Sequence, residues 1–259
     1  IMVQVTGPDS LVALSVTSPQ NVVRGLAFYG MFRNLSFFGP AATGNQVQGC
    51  FIGTDAAGSF VAPTKRRDAD GIVLMRGAAR NSIGGTAPAD RNVVSGNGFH
   101  GIATWDEGTD ENVIINNLIG LHPDGDQPLP NRAHGVDLNS GTSYTRIGGE
   151  RPEERNVISG NGIEGVEISH GSTTVGNRIV GDYIGTDVFG RPSTTLGNLM
   201  GILVEDHVQQ NVIKGNTIGN NTVLGVRIEN FSTGTVVTKN LIGVSANGAA
   251  LPNGNIAVI

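Results

Sequence analysis

Gly201-Ile-Leu-Val204, Asn211-Val-Ile213 and Asn216-Thr-Ile-Gly219 follow one another with turn residues between them: three short apolar runs, each opened by Gly or Asn. The same register returns at Gly71-Ile-Val-Leu74, Gly101-Ile-Ala-Thr104, Gly135-Val-Asp-Leu138, Gly165-Val-Glu-Ile168 and Gly225-Val-Arg-Ile228. Successive glycines are 30, 34, 30, 36 and 24 residues apart. A period of that size makes each unit one layer of a stack rather than a domain. Three strands and three bends close a coil, and stacked coils give three parallel sheets around a narrow core of Ile, Val and Leu. No 3.6-residue apolar stripe persists, so helices are not expected.

Composition narrows the class. Of 259 residues, 39 are glycine and only 15% are charged. The glycines have no three-residue period, which excludes collagen. A net charge of -5 gives no basic footprint for nucleic acid, and no apolar run is long enough for a membrane helix. No basic, signal-like segment opens the chain. It begins at Ile1, so an upstream segment is expected to have been removed. A lone Cys50 excludes an internal disulfide and reads as a buried thiol.

Longer layers carry their extra residues at two fixed places. One loop follows Ile-Gly-Gly, at 85–90 and 149–154; the other follows the last Ile-Gly, at 53–58, 120–125, 185–190 and 243–248. Asp or Asn beside Gly favours hairpin-like turns there. A calcium loop is the rival reading, and these segments lack the required set of oxygen ligands. The recurrent Asn at 92, 97, 112, 117, 156, 161, 177, 211 and 216 reads as bend residues that ladder from coil to coil. Residues 1–50 keep the strands but loosen the register, and Phe28, Phe32, Phe37 and Phe38 suit a broader or capped end of the core. The run Lys65-Arg66-Arg67 reads as a solvated loop tip. The segment 254–259 resembles the first strand of a further coil, so a neighbouring domain or copy is expected at that edge.

The motifs Arg91-Asn-Val-Val-Ser-Gly-Asn97, Arg155-Asn-Val-Ile-Ser-Gly-Asn161, Gly185-Thr-Asp187 and Asn81-Ser-Ile-Gly-Gly85 resemble those of parallel β-helix repeat proteins. That fold is similar to the fold of pectate lyases and other polysaccharide-acting β-helices. The resemblance implies an all-β, right-handed parallel β-helix spanning 1–259 as one domain. It also implies that any active or binding face runs along one sheet, and that the protein is secreted or sits on the cell surface.

Stacking turns repeat positions into columns. Two residues after the opening glycine come Val73, Ala103, Asp137, Glu167, Leu203 and Arg227, all expected to point outward. Just before the glycine come Asp70, His100, His134, Glu164, Met200 and Leu224. Two stacked carboxylates can split their pKa values and act as an acid/base pair. Asp137, Glu167, His134, Glu164 and His170 are therefore the candidate catalytic residues. Trp105 offers a ring for a sugar face, and Glu205, Asp206, Arg227 and Glu229 are the candidate ligand-binding residues. No metal site is expected; a zinc site from His100, His134 and a carboxylate lacks a third imidazole in the column. The function expected is binding or processing of a polysaccharide or acidic glycan. The alternative is a structural or adhesive rod within a larger extracellular assembly.

Overall fold

The computed structural model describes residues 2–59, 68–254 and 256–258; the run Lys65-Arg66-Arg67 lies outside them. Its strands fall into three parallel sheets visited in strict rotation. Sheet I runs from Val3–Thr6 to Leu241–Ile242, sheet II from Val12–Val16 to Ile256–Val258, and sheet III from Val22–Arg24 to Val236–Thr238. Each parallel connection is a crossover, and such crossovers are right-handed almost without exception. The fold is a right-handed parallel β-helix.

Residues thirty or so apart sit in register. Ile72, Ile102, Val136, Val166, Ile202 and Val226 are cross-strand partners in turn along sheet II. Together with Ile83, Ile114, Ile147, Ile179 and Ile213 of sheet III and Ile119, Ile158, Ile184 and Ile218 of sheet I, they form one continuous core. β-Branched side chains fit this pleated, tightly spaced interior. The glycine that opens the repeat in the central sheet II rungs is there because neighbouring rungs approach too closely for a side chain. A Cβ on Gly71, Gly101, Gly135, Gly165 or Gly201 would lie only 2.4–2.7 Å from the carbonyl oxygen of the next rung's glycine.

Asparagine ladders hold the corners. At the start of sheet I, Asn92 donates to Asn117 and Asn117 to Asn156; beyond Asp182 the ladder resumes from Asn216 to Asn240. Between sheets I and II the ladder runs Asn34, Asn97, Asn131, Asn161, Asn198, Asn221, Asn253. The third corner carries Asn21, Asn45, Asn81 and Asn112 and breaks at Thr145, whose N–H donates to Asn177.

Two of the loops after the last Ile-Gly are small hairpins, with antiparallel bridges Leu121–Pro128 and Val244–Ala250, and those at 53–58 and 185–190 close as tight turns. In one of them Asp187 Oδ1 accepts the N–H groups of Phe189 and Arg191. The other loop type holds short 3-10 turns at Pro88–Asp90 and Pro152–Glu154, which strand periodicity does not reveal. The strands of residues 1–50 join the same three sheets. Phe28 and Phe37 enter the core, while Phe38 faces out.

Candidate active site

The outer face of sheet II gathers the titratable side chains. Asp137 and Glu167 are cross-strand partners, preceded in their column by Ala103 and followed by Leu203 and Arg227. His134 projects between the rungs of Asp137 and Glu167. Its Nε2 lies 3.2 Å from Glu167 Oε2, and its Nδ1 lies 2.6 Å from Glu164 Oε2, off the axis of a well-formed N–H bond. One rung earlier, His100 stacks on His134 with ring centroids 4.8 Å apart. His100 Nε2 is 3.7 Å from Asp137 Oδ2. The same oxygen accepts Trp105 Nε1 at 3.0 Å and Asn139 Nδ2 at 2.5 Å.

This face is not the open, solvated surface that strand alternation suggests. Asp137 is 1% exposed, Glu164 2% and Glu167 8%. Even the apolar members of the column, Val73 and Ala103, are fully buried. Burial is costly for charged groups, and it governs the electrostatics here. It lifts the Glu167 carboxyl to about 8; His134 pulls it down, and the charges of Asp137, Glu164 and Glu205 push it further up. It drives His100 down to about 4, against the attraction of Asp137. Burial would lower His134 too, but contact with Glu164 and the charges of Glu167 and Asp137 raise it instead. Asp70, in the column just before the glycine, is raised to about 7 by burial, partly offset by the His100 N–H and by Arg33.

Near neutral pH the cluster thus holds a protonated Glu167, whose charge then no longer raises His134, and a neutral His100 one rung above. Two buried polar atoms of the cluster lack hydrogen-bond partners, His100 Nδ1 and Asp137 Oδ1. Each such atom costs roughly 1–3 kcal/mol, and buried groups left this way call for an explanation beyond packing. Among the described residues no group of three or more His, Cys, Asp or Glu side chains is arranged to hold a metal ion.

The remaining expected residues lie around this centre or outside it. Trp105 is half-buried at its edge, with Arg33 stacked over the ring at 5.4 Å. Arg227 Nη2 pairs with Glu229 Oε2 at 2.5 Å along its own strand, and Glu205 accepts from Asn230 in the next rung. Asp206 Oδ1 meets His207 Nδ1 at 3.0 Å at the following corner. His170 is exposed at its corner, its Nδ1 2.6 Å from Ser169 Oγ, and it forms no ion pair with the carboxylates. Column position brings His134, Asp137, Glu164 and Glu167 together and leaves His170 aside. Asp70, His100 and Asn139 join the cluster without having been singled out as site residues; the first two were legible as members of the column preceding the glycine.

No family model matches the chain, and no curated protein matches it. Among solved structures, it aligns with the A-module of the mannuronan C-5 epimerase AlgE4 from Azotobacter vinelandii. The alignment covers 99% of this chain and 86% of that one, at 13% identity and a TM-score of 0.34. At that identity and score the likeness carries no argument about activity, and the fold stands on the strand pairing described above.

Proposed function

We propose that the outer face of sheet II binds a polysaccharide across successive rungs and works on it by proton transfer. Glu167, carried protonated at neutral pH, serves as the acid. His134, oriented by Glu164, serves as the base. Asp137, buried beneath this face, holds the Trp105 and Asn139 side chains through one oxygen, and Trp105 flanks the sugar face. The observation that carries this reading is the pairing of a raised carboxyl with a histidine 3.2 Å away, amid buried polar atoms without partners. Glu205, Asp206, Arg227 and Glu229 extend the polar strip toward later rungs. Such a role belongs outside the cell or on its surface.

The test is a panel of acidic and neutral polysaccharides, assayed for binding, for new reducing ends, for unsaturated sugars and for inverted uronate carbons. Asp137→Asn with Glu167→Gln is expected to abolish turnover or glycan retention, and unchanged behaviour contradicts the proposal. Turnover is also expected to decline as pH rises through about 8, because Glu167 must hold its proton to act. A profile flat across that range would argue against Glu167 as the acid.

The second reading is a rod without turnover. It is favoured by the near-complete sealing of Asp137 and Glu164, as in a purely structural ion network. On that reading the same double substitution changes stability alone.

A further inference from the structure

A second polar centre lies away from sheet II, at the corner where the chain passes from sheet III to sheet I. Successive rungs turn there through Gly148-Gly149, Val180-Gly181, Lys214-Gly215 and Thr238-Lys239. The Gly181 N–H donates to the Lys214 carbonyl and the Gly215 N–H to the Thr238 carbonyl, so the corners stack. Gly181 and Gly215 turn at φ +70° and +68°, and Lys239 takes the same left-handed conformation at +57°. That conformation costs a residue with a Cβ roughly 1–2 kcal/mol.

These residues line a cleft of about 290 Å³, bounded by Gly149, Gly181 and Gly215 together with Arg155, Lys214 and Lys239. A Cβ added at Gly215 would meet nothing within 4 Å, so the space beside it is open. Arg155 is fixed, with its Nε donating to the Gly181 carbonyl at 2.9 Å and its guanidinium 4.1 Å from the Tyr183 ring. Lys239 and the neighbouring Arg178 form no ion pair among the described residues. Two of the three lysines of a chain with net charge -5 thus meet at one corner.

Glu150 already shows what the cleft accepts. Its exposed carboxylate sits 2.5 Å from Lys214 Nζ. The Lys214 bond and charge, then Arg178 and Lys239 at longer range, lower its pKa. The Glu150 side chain is exposed, so a guest anion can exchange with its carboxylate at little cost.

We propose that this cleft binds the carboxylate or sulfate group of an acidic glycan, which displaces Glu150 from Lys214. Rungs about 4.8 Å apart repeat on the scale of one sugar residue, so a chain running along the corner presents one anionic group after another to Lys214 and Lys239. An extended basic footprint of the kind nucleic acid requires is missing from this acidic chain. The choice of a glycan as carrier of the anion rests on the function proposed above; the anion site itself does not.

Calorimetry on the full chain carrying Asp137→Asn and Glu167→Gln removes the sheet II face from the measurement. The probes are a short uronate oligosaccharide, a sulfated one, a neutral one of equal length, inorganic sulfate and a short DNA duplex. The acidic oligosaccharides are expected to bind and the neutral one not. Adding Lys214→Met and Lys239→Met should weaken binding roughly tenfold or more, and Glu150→Gln should strengthen it. The proposal is overturned if acidic oligosaccharides fail to bind, or bind equally after the lysine substitutions. Inorganic sulfate binding as tightly as the oligosaccharides would reduce the cleft to a free-anion site, and tighter binding of DNA would replace the glycan. Failure of the sheet II proposal reads out differently, as turnover unchanged by Asp137→Asn and Glu167→Gln or as no turnover in the parent protein, and leaves this result standing.

Discussion

Replacing Asn117 with alanine should destabilise the protein by roughly 3–5 kcal/mol, although the change removes only a small polar group. Asn117 is fully buried at the start of its sheet I strand. Its Oδ1 accepts from Asn92, and its Nδ2 donates to the carbonyls of Ile83 and Ile115 and to Asn156 Oδ1. Alanine removes all four bonds and strands buried partners that water cannot reach, so the desolvation penalty is added to the lost bonds. Asn21→Ala, at the exposed start of the third corner's ladder, is the control and should cost under about 1 kcal/mol. Urea unfolding of the two variants measures the contrast. Equal, small losses would mean that the ladders decorate the corners rather than hold them.

Replacing Asp182 with asparagine should have the opposite sign, and its size should depend on pH. Asp182 occupies the rung between Asn156 and Asn216, where the other ladder positions at that corner carry Asn. Its Oδ1 accepts the N–H and Nδ2 of Asn156, but its Oδ2 is buried without a partner. In the flanking rungs the amide nitrogen of Asn156 donates to Ile114 and that of Asn216 to Ile179. An asparagine at 182 would by the same register donate to the Ile147 carbonyl and to Asn216 Oδ1, where the aspartate sets acceptor against acceptor. Burial raises the Asp182 carboxyl from 3.8 to about 7, against the bonds from Asn156 and the charges of Arg155 and Arg146.

The folded state therefore keeps a proton that the unfolded chain has lost. Across the window from about 4 to about 7 the unfolded state binds fewer protons, so this group's contribution to stability falls as pH rises and then levels off. A shift of that size is worth on the order of 4 kcal/mol. Asp182→Asn should match the parent near pH 4 and exceed it by a few kcal/mol above pH 7. A stability difference that does not change with pH would contradict the assignment of a protonated Asp182.

Most of the architecture was legible because it depends on columns. Ile102, Val136 and Val166 recur at the same place after a glycine, and that glycine is required because its Cβ would strike the next rung. The ladder asparagines were legible for the same reason. The Pro88–Asp90 and Pro152–Glu154 turns were not, because a single 3-10 turn leaves no periodic trace. At the site, column position placed Asp137 beside Glu167 and His134 beside Glu164. What it left open was the depth at which they sit: alternation decides which side a residue faces, not whether that side is covered, and Asp137 faces outward yet is sealed. His170 shows the converse limit. It lies one residue past the strand, where the corner turns at φ +63° and carries the ring away from the carboxylates. The cleft at Lys214 and Lys239 was not singled out, although Lys214 lies in register with Val180 and Thr238, because Glu150 and Arg155 reach it from a loop longer than the neighbouring corners.

A crystal structure of the full chain with a bound oligosaccharide bears most directly on the sheet II face. The sugar chain is expected across the rungs of Trp105, Asp137 and Glu167, with a glycosidic or ring atom within hydrogen-bond reach of Glu167 and His134. Sugar bound elsewhere on the coil at saturation, with that face bare, would contradict it.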